Sequence, residues 1–242
     1  KTLMPELANC GVAVLIYRPE ISPLRPRLRR LRRLHRKLCV MDAERLFCGG
    51  INVLDDWLEP GQPPLRAPRF DFAVAVRGPL VAQVDAAMQQ LWWRALAAQS
   101  ARDADFRSGW QALQSAFSPR PQQAPADGMV RAALLLRDNV RHRSQIERAY
   151  RKAIGGARQD ILIANAFFLP TSALRRALQS AAARGVRVRL VLPGYYEYAV
   201  PYRASRVVYR QLLQAGVEIL EYHASYLHAK VAVVDDRWAT VG

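Results

Sequence analysis

Along residues 129–242 the apolar positions switch between two periods. Residues at about 143–157, 171–184 and about 202–215 carry them at helical spacing, whereas 129–136, 160–168, 186–192, 217–222 and 227–234 read as short strands. Strands alternating with helices predict an α/β sandwich with helices on the faces of a mixed sheet. In the first half, "LANCGVAVLIYRP" (7–19) reads as a helix end, a turn at Gly11 and a strand. "FDFAVAVRG" (70–78) alternates like a strand, and 79–99 has helical spacing with Pro79 at its start. "SPRPQQAPADG" (118–128) has no periodicity and reads as a linker.

The same grammar occurs twice. "LANCGVAVLIY" returns as "LLQAGVEILEY", and "LHRKLCVMDAERLFCGG" (34–50) returns as "LHAKVAVVDDRWATVG" (227–242). One constant offset carries His35, Lys37, Asp42 and Gly49 onto His228, Lys230, Asp235 and Gly242, so the chain contains a duplicated unit. The first copy lacks layers that should precede residue 1 and the second stops at Gly242, which predicts an excerpt of a longer protein, truncated at both ends.

Each copy obeys H-x-K-x-x-x-x-D. In a strand, side chains two apart share a face, so His35 points with Lys37 and His228 with Lys230. The odd spacing places the aspartate on the other face unless the chain turns there. A two-residue loop at Ala43 and Glu44 would pair Asp42 with Arg45, Lys37 with Gly50 and His35 with Asn52. That register gathers imidazole, ammonium and carboxamide on one face, with Gly50 leaving room beside the lysine, and makes a patch of phosphate size.

Composition narrows the partner but not the reaction. With 51% apolar residues the chain can bury a substantial core, and 36 Lys plus Arg against 20 acidic residues give a formal charge of +16. Such an excess suits polyanions, either nucleic acid or an anionic membrane. Three cysteines, Cys10, Cys39 and Cys48, lack zinc or redox spacing, and Cys39 and Cys48 read as small apolar fillers. No run of apolar residues is long enough to span a bilayer, and the start has no signal-peptide pattern.

Two histidines facing one phosphodiester can divide the chemistry. One, neutral, attacks phosphorus in line, while the other, protonated, gives a proton to the leaving alkoxide. An imidazole pKa of about 6.5 allows both forms near neutrality, so surroundings must assign the roles. The lysines would hold the non-bridging oxygens. Neither a metal nor a cofactor is required. A single His in an apolar strand is more often a packed core residue, but two copies in one duplicated frame are hard to explain as packing alone.

These paired motifs, the first followed by Gly49-Gly50-Ile51-Asn52, resemble the phospholipase D superfamily. "LLLRDNVRHRSQIERAYRKAIGGARQDILIANAFFLP" (134–170) and "AAARGVRVRLVLPG" (181–194) narrow the resemblance to its bacterial cardiolipin synthases. The resemblance implies two similar lobes, each a mixed β-sheet flanked by helices, with the active site between them. Residues 1–117 would be the C-terminal part of the first lobe, 118–128 a linker, and 129–242 the second lobe, cut at its C-terminus. The implied reaction is phosphatidyl transfer between two phosphatidylglycerol molecules through a phosphatidyl-histidine, releasing glycerol. His35 would attack and His228 would act as acid and then base, with the reverse assignment open. Asp42 and Asp235 belong to the motif and read as turn and supporting residues rather than direct participants.

Asp71 matches an acidic position of these synthases, where it would accept a hydrogen bond from the far ring nitrogen of a catalytic histidine; an exposed strand carboxylate is the alternative. The implied setting is peripheral, on the cytoplasmic side of a bacterial inner membrane, with no nucleic-acid partner. A basic run with Arg25, Arg27, Arg29, Arg30, Arg32 and Arg33 would recruit the enzyme to anionic lipid, or is a solvated loop. Tyr195, Tyr196 and Tyr198 read as a lipid-facing mouth or as core packing. Two other functions fit the same residues: a phosphodiesterase or nuclease of the superfamily, and a non-catalytic pair of lobes that binds anionic lipid or nucleic acid.

Overall fold

A computed structural model describes residues 3–17, 34–58, 65–117, 130–137, 144–195 and 199–242. The chain divides into two compact units. One holds Lys1–Arg36, Val40–Leu46 and Arg77–Ala132; the other holds Lys37–Cys39, Phe47–Val76 and Ala133–Gly242.

The second unit is built on a mixed five-stranded sheet. Its strands are β4 (Asp160–Asn165), β5 (Arg187–Pro193), β6 (Glu218–Tyr222), β7 (Lys230–Val234) and β8 (Trp238–Val241), in the order β6-β5-β4-β7-β8. β4 runs parallel to β5, and β5 to β6, because helices carry the chain back between them. These helices are α5 (Ser172–Ala183) and α6 (Ala199–Gln214); α4 (Gln145–Gly156) precedes β4. β7 and β8 are antiparallel, as a tight hairpin must be, and β7 lies against β4 with Asn165 opposite Lys230.

The core follows from the alternation. Ile161, Ile163, Val188, Leu190 and Leu192 point from adjacent strands against Ile154, Leu178 and Leu212 of the helices, all at most 2% exposed. Thr171 caps α5 by accepting from the Leu174 backbone N–H at 3.2 Å, the side-chain substitute for a missing helical carbonyl.

In the first unit, α2 (Pro79–Arg102) turns back at Asp103–Asp105 into α3 (Phe106–Phe117), with α1 (Leu3–Asn9) near the start of the chain. Val81, Val84, Ala97, Ala112 and Ala116 are buried. Helix α3 has no counterpart among the elements read from sequence. Its start signal is Asp105, whose Oδ1 accepts from Ser108 N–H at 3.1 Å.

Strands β1 (Leu38–Met41), β2 (Arg45–Gly49) and β3 (Ala73–Arg77) form a separate sheet in that order. Residues 12–16, and 130–136 of the strand expected at 129–136, form neither helix nor strand. Val12, Val14 and Ile16 are exposed, and an alternating run becomes a strand only where a neighbour satisfies its backbone. The basic run 25–33 and the linker 118–128 lie outside the described residues, as do Tyr196 and Tyr198.

Candidate active site

The second motif enters along one edge of β7. Leu227 and Ala229 are buried and pack with Ala164, so period-two alternation turns His228 and Lys230 together to the opposite face. A short parallel pairing fixes the approach of the "FDF" segment. Phe70 N–H donates to Tyr226 O at 2.9 Å and His228 N–H to Phe70 O at 2.9 Å, around a bridge between Phe70 and Leu227. Asp71, the next residue, is thereby brought beside His228.

The contact is close. His228 Nδ1 lies 2.7 Å from Asp71 Oδ2, with the side chains 17% and 9% exposed. A carboxylate can only accept, so Nδ1 carries the donated proton, and Nε2 is the nitrogen left for proton transfer to a ligand. Asp71 Oδ1 also accepts from Phe72 N–H at 2.8 Å, which fixes the carboxylate. The flanking rings hold the segment: Phe70 stacks on Tyr222 at 5.1 Å and meets Phe72 edge-on at 5.0 Å.

Gly50 supplies the space. A Cβ there would collide with Asp71 Oδ1 and lie 2.7 Å from Oδ2 and 2.8 Å from Cγ. The carboxylate therefore occupies the volume of an absent side chain. Gly50 N–H donates to Phe72 O at 3.0 Å and keeps β2 against this segment.

Lys230 reaches back over the histidine. Its Nζ donates to His228 O at 2.6 Å and lies 3.3 Å from Nδ1 and 3.5 Å from Nε2. Burial pushes the Lys230 ammonium below the ordinary lysine range; Asp71 draws it back up, and the nearby Lys37 lowers it further. The like charge of Lys37 would favour an anion that shields it from Lys230.

The motif aspartate has a different task. Asp235 Oδ2 accepts from Arg158 N–H at 2.8 Å, and Oδ1 accepts from Gln159 and Asp160 N–H, each at 2.9 Å. These three backbone donors hold its carboxyl below the usual aspartate range. It ties the β7–β8 turn to the entrance of β4 and so fixes the strand that carries His228 and Lys230.

The hairpin register corrects the sequence reading. Val234 pairs with Trp238, leaving a three-residue turn at Asp235–Arg237, and Gly242 N–H donates to Lys230 O at 3.1 Å. In the first copy Gly49 N–H, not that of Gly50, donates to Lys37 O at 3.4 Å. The pairing that set Lys37 against Gly50, and His35 against Asn52, is thus displaced by one residue. The cause is two successive left-handed residues in each turn, Asp42 and Ala43 at φ 52 and 55, Asp235 and Asp236 at φ 50 and 53. The loop expected at Ala43 and Glu44 begins one residue earlier.

Of the remaining sequence candidates, His35 is exposed just before β1, Asp42 is an exposed turn residue, and Asn52 is half-buried after β2. Cys39 is exposed rather than a filler, while burial raises the Cys48 thiol. Tyr195 is exposed and meets the His223 ring edge-on at 5.5 Å. Sequence reading missed the Phe70 bridge and the close fit of Gly50 to Asp71. The signal for both was a carboxylate between two phenylalanines at a strand entrance.

Residues 150–242 match the family model described as "Cardiolipin synthase, PLD-like domain". The chain is 35% identical over 237 residues to cardiolipin synthase B of Escherichia coli (strain K12), covering 98% of this chain and 54% of that protein. It is 31% identical over 210 residues to cardiolipin synthase A of Pseudomonas fluorescens (strain SBW25), covering 87% of this chain and 40% of that one. The chain thus spans about half the length of the curated relatives it matches. Its fold resembles the crystal structure of phosphatidylserine synthase of Haemophilus influenzae Rd KW20, with a TM-score of 0.50 and 13% identity over 85% of this chain and 53% of that one. With both copies of the H-x-K-x-x-x-x-D motif on a mixed α/β frame, this chain is similar to the phospholipase D superfamily, and its residues 150–242 match the PLD-like domain of that group.

Proposed function

We propose that this chain carries the phosphatidyl-transfer machinery of a cardiolipin synthase. The observation that supports this most is the Asp71–His228–Lys230 cluster, in which a carboxylate sets the imidazole tautomer and an ammonium lies 3.5 Å from Nε2. The 35% identity to cardiolipin synthase B over nearly the whole chain supports a phospholipid substrate.

In this reading His35 attacks the phosphorus of phosphatidylglycerol. The phosphorus–oxygen bond to the terminal glycerol breaks, and His228 gives that oxygen its Nε2 proton, leaving phosphatidyl-histidine and free glycerol. The primary hydroxyl of a second phosphatidylglycerol then gives its proton to His228 and attacks phosphorus. The phosphorus–nitrogen bond breaks, and cardiolipin leaves with both histidines restored. Lys37 and Lys230 hold the non-bridging oxygens throughout, while Asp71 keeps the His228 ring aimed. Asn52 and Gly50 support the phosphate, and Asp42 and Asp235 fix the two hairpins.

No described helix is long and apolar enough to cross a membrane. We assign the protein a peripheral place on the cytoplasmic face of a bacterial inner membrane, with the Arg25–Arg33 run among the cations that recruit it. The test is to incubate the intact protein with phosphatidylglycerol vesicles, and separately with DNA, and to analyse products by mass spectrometry. Glycerol and cardiolipin that disappear in both His35→Ala and His228→Ala are the expected result. Cleaved DNA without lipid turnover would replace this reading with a nuclease.

A further inference from the structure

The second unit carries a cluster of cations that the chemistry above does not use. Arg148, Arg151 and Lys152 on α4 and Arg176 on α5 line one open cavity together with Ala173 and Ala177. Three other basic side chains of this unit are paired with acids: Arg187 and Arg189 lie 2.9 and 3.0 Å from Asp160, and Arg206 lies 2.6 Å from Glu221. The four cavity cations make no ion pair among the described residues. Glu147, the acidic residue at the start of α4, instead accepts from the Thr171 hydroxyl at 2.7 Å, which ties the beginning of α4 to the beginning of α5.

An apolar projection sits directly before that tie. In the loop between β4 and α5, Phe167 and Leu169 are 45% and 55% exposed, while Phe168 between them is 6% exposed and anchors the loop. Three hydrogen bonds brace it: Phe167 N–H to Asn165 Oδ1 at 2.8 Å, Leu169 N–H to Phe167 O at 3.1 Å, and Ala166 N–H to Ala229 O at 2.8 Å. The last bond joins the loop to the strand between His228 and Lys230. Two bulky apolar side chains held outward on a braced loop, with four cations that make no ion pair among the described residues, match an interface whose outer layer is anionic and whose inner layer is hydrocarbon.

We propose that loop 166–170 and the facing starts of α4 and α5 form the surface by which this unit seats on an anionic bilayer. Phe167 and Leu169 enter the acyl boundary, and Arg148, Arg151, Lys152 and Arg176 hold lipid phosphates. The committed partner is a phospholipid bilayer, which takes the cations and the apolar pair at once, whereas duplex DNA accepts apolar wedges only by unstacking its bases. This surface rests on the membrane setting of the proposed function but not on its chemistry.

The test is co-sedimentation of the intact protein with phosphatidylglycerol–phosphatidylcholine vesicles, with short duplex DNA as a separate ligand. It compares wild type with R148Q/R151Q/K152Q/R176Q and with F167S/L169S, all in an inactive His228→Ala background so that binding is read apart from turnover. The charge variant is expected to weaken vesicle binding by roughly fivefold per cation removed at low salt, with the difference vanishing at high salt. The apolar variant is expected to weaken it by about tenfold, with the deficit persisting at high salt. Thermal midpoints equal to the parent establish that both variants are folded. Vesicle binding unchanged in both folded variants overturns the proposal, as does a charge variant that loses DNA binding while keeping vesicle binding. Failure of active wild type to make cardiolipin on vesicles that it binds would instead overturn the catalytic reading.

Discussion

Replacing Asp71 by Asn removes the charge that orients His228 and keeps the shape. The two side chains are 17% and 9% exposed and 2.7 Å apart, so water is poorly placed to substitute for the bond. A hydrogen bond to a charged group contributes about 1.5–3 kcal/mol. At about tenfold in rate per 1.36 kcal/mol, kcat is expected to fall roughly 10- to 150-fold. KM should change less than about twofold, since the contact orients a proton donor rather than holding substrate. Gly50→Ala reaches the same bond from the other side, because its new methyl would occupy the place of the Asp71 carboxylate. The two substitutions remove one interaction, so Gly50→Ala/Asp71→Asn should be little worse than the poorer single variant. Steady-state turnover of phosphatidylglycerol vesicles, with circular dichroism to verify folding, measures all three. An Asp71→Asn enzyme within about threefold of wild type in kcat, or effects that multiply in the double variant, would refute the orienting role.

Two further outcomes concern the frame. Asp235→Asn keeps tolerance of the left-handed turn and removes the charge that three backbone N–H groups hold. Because those donors lower the folded-state pKa, the stabilisation is complete above the unfolded aspartate value of about 3.9 and is lost as pH falls through the lower folded value. The variant should therefore melt below wild type at neutral pH, with the gap closing in strong acid, as followed by thermal scans across pH. Gly49→Ala would press a methyl onto Phe72 O and within 2.5 Å of Ala73 Cα, which are backbone atoms that cannot swing aside. Urea unfolding should show a loss of about 1–3 kcal/mol.

The legible part of the fold is where one signal sufficed. Strands β4, β5 and β6 and helices α4 to α6 lie close to their expected positions, because buried apolar spacing and flanking turns agree along residues 144–222. Residues 12–16 show the limit of the same rule: alternation describes which faces are apolar, but a strand also needs a neighbour for its backbone. Helix α3 escaped notice because its apolar Phe106, Trp110 and Leu113 remain exposed and lie beside a stretch of linker composition.

The site divides in the same way. His228 and Lys230 were placed on one face by strand periodicity alone, and a duplicated motif argued for their use. Asp71 entered through resemblance, since nothing local connects residues 157 positions apart in the chain. The turn register failed because Asp42 and Ala43 adopt left-handed conformations that favour Gly or Asn, so composition pointed one residue too far along.

That separation of Asp71 from His228 also bears on how the protein acquires its reactivity. The five-stranded sheet is drawn entirely from residues 160–241, so it can assemble while the segment around Phe70 is still unattached. Until that segment docks, His228 lacks the carboxylate that sets its tautomer, and making the contact closes a loop of 157 residues, whose entropic cost rises with length. On the proposed function, the aim of the His228 imidazole therefore depends on completed long-range folding and not on the five-stranded sheet alone.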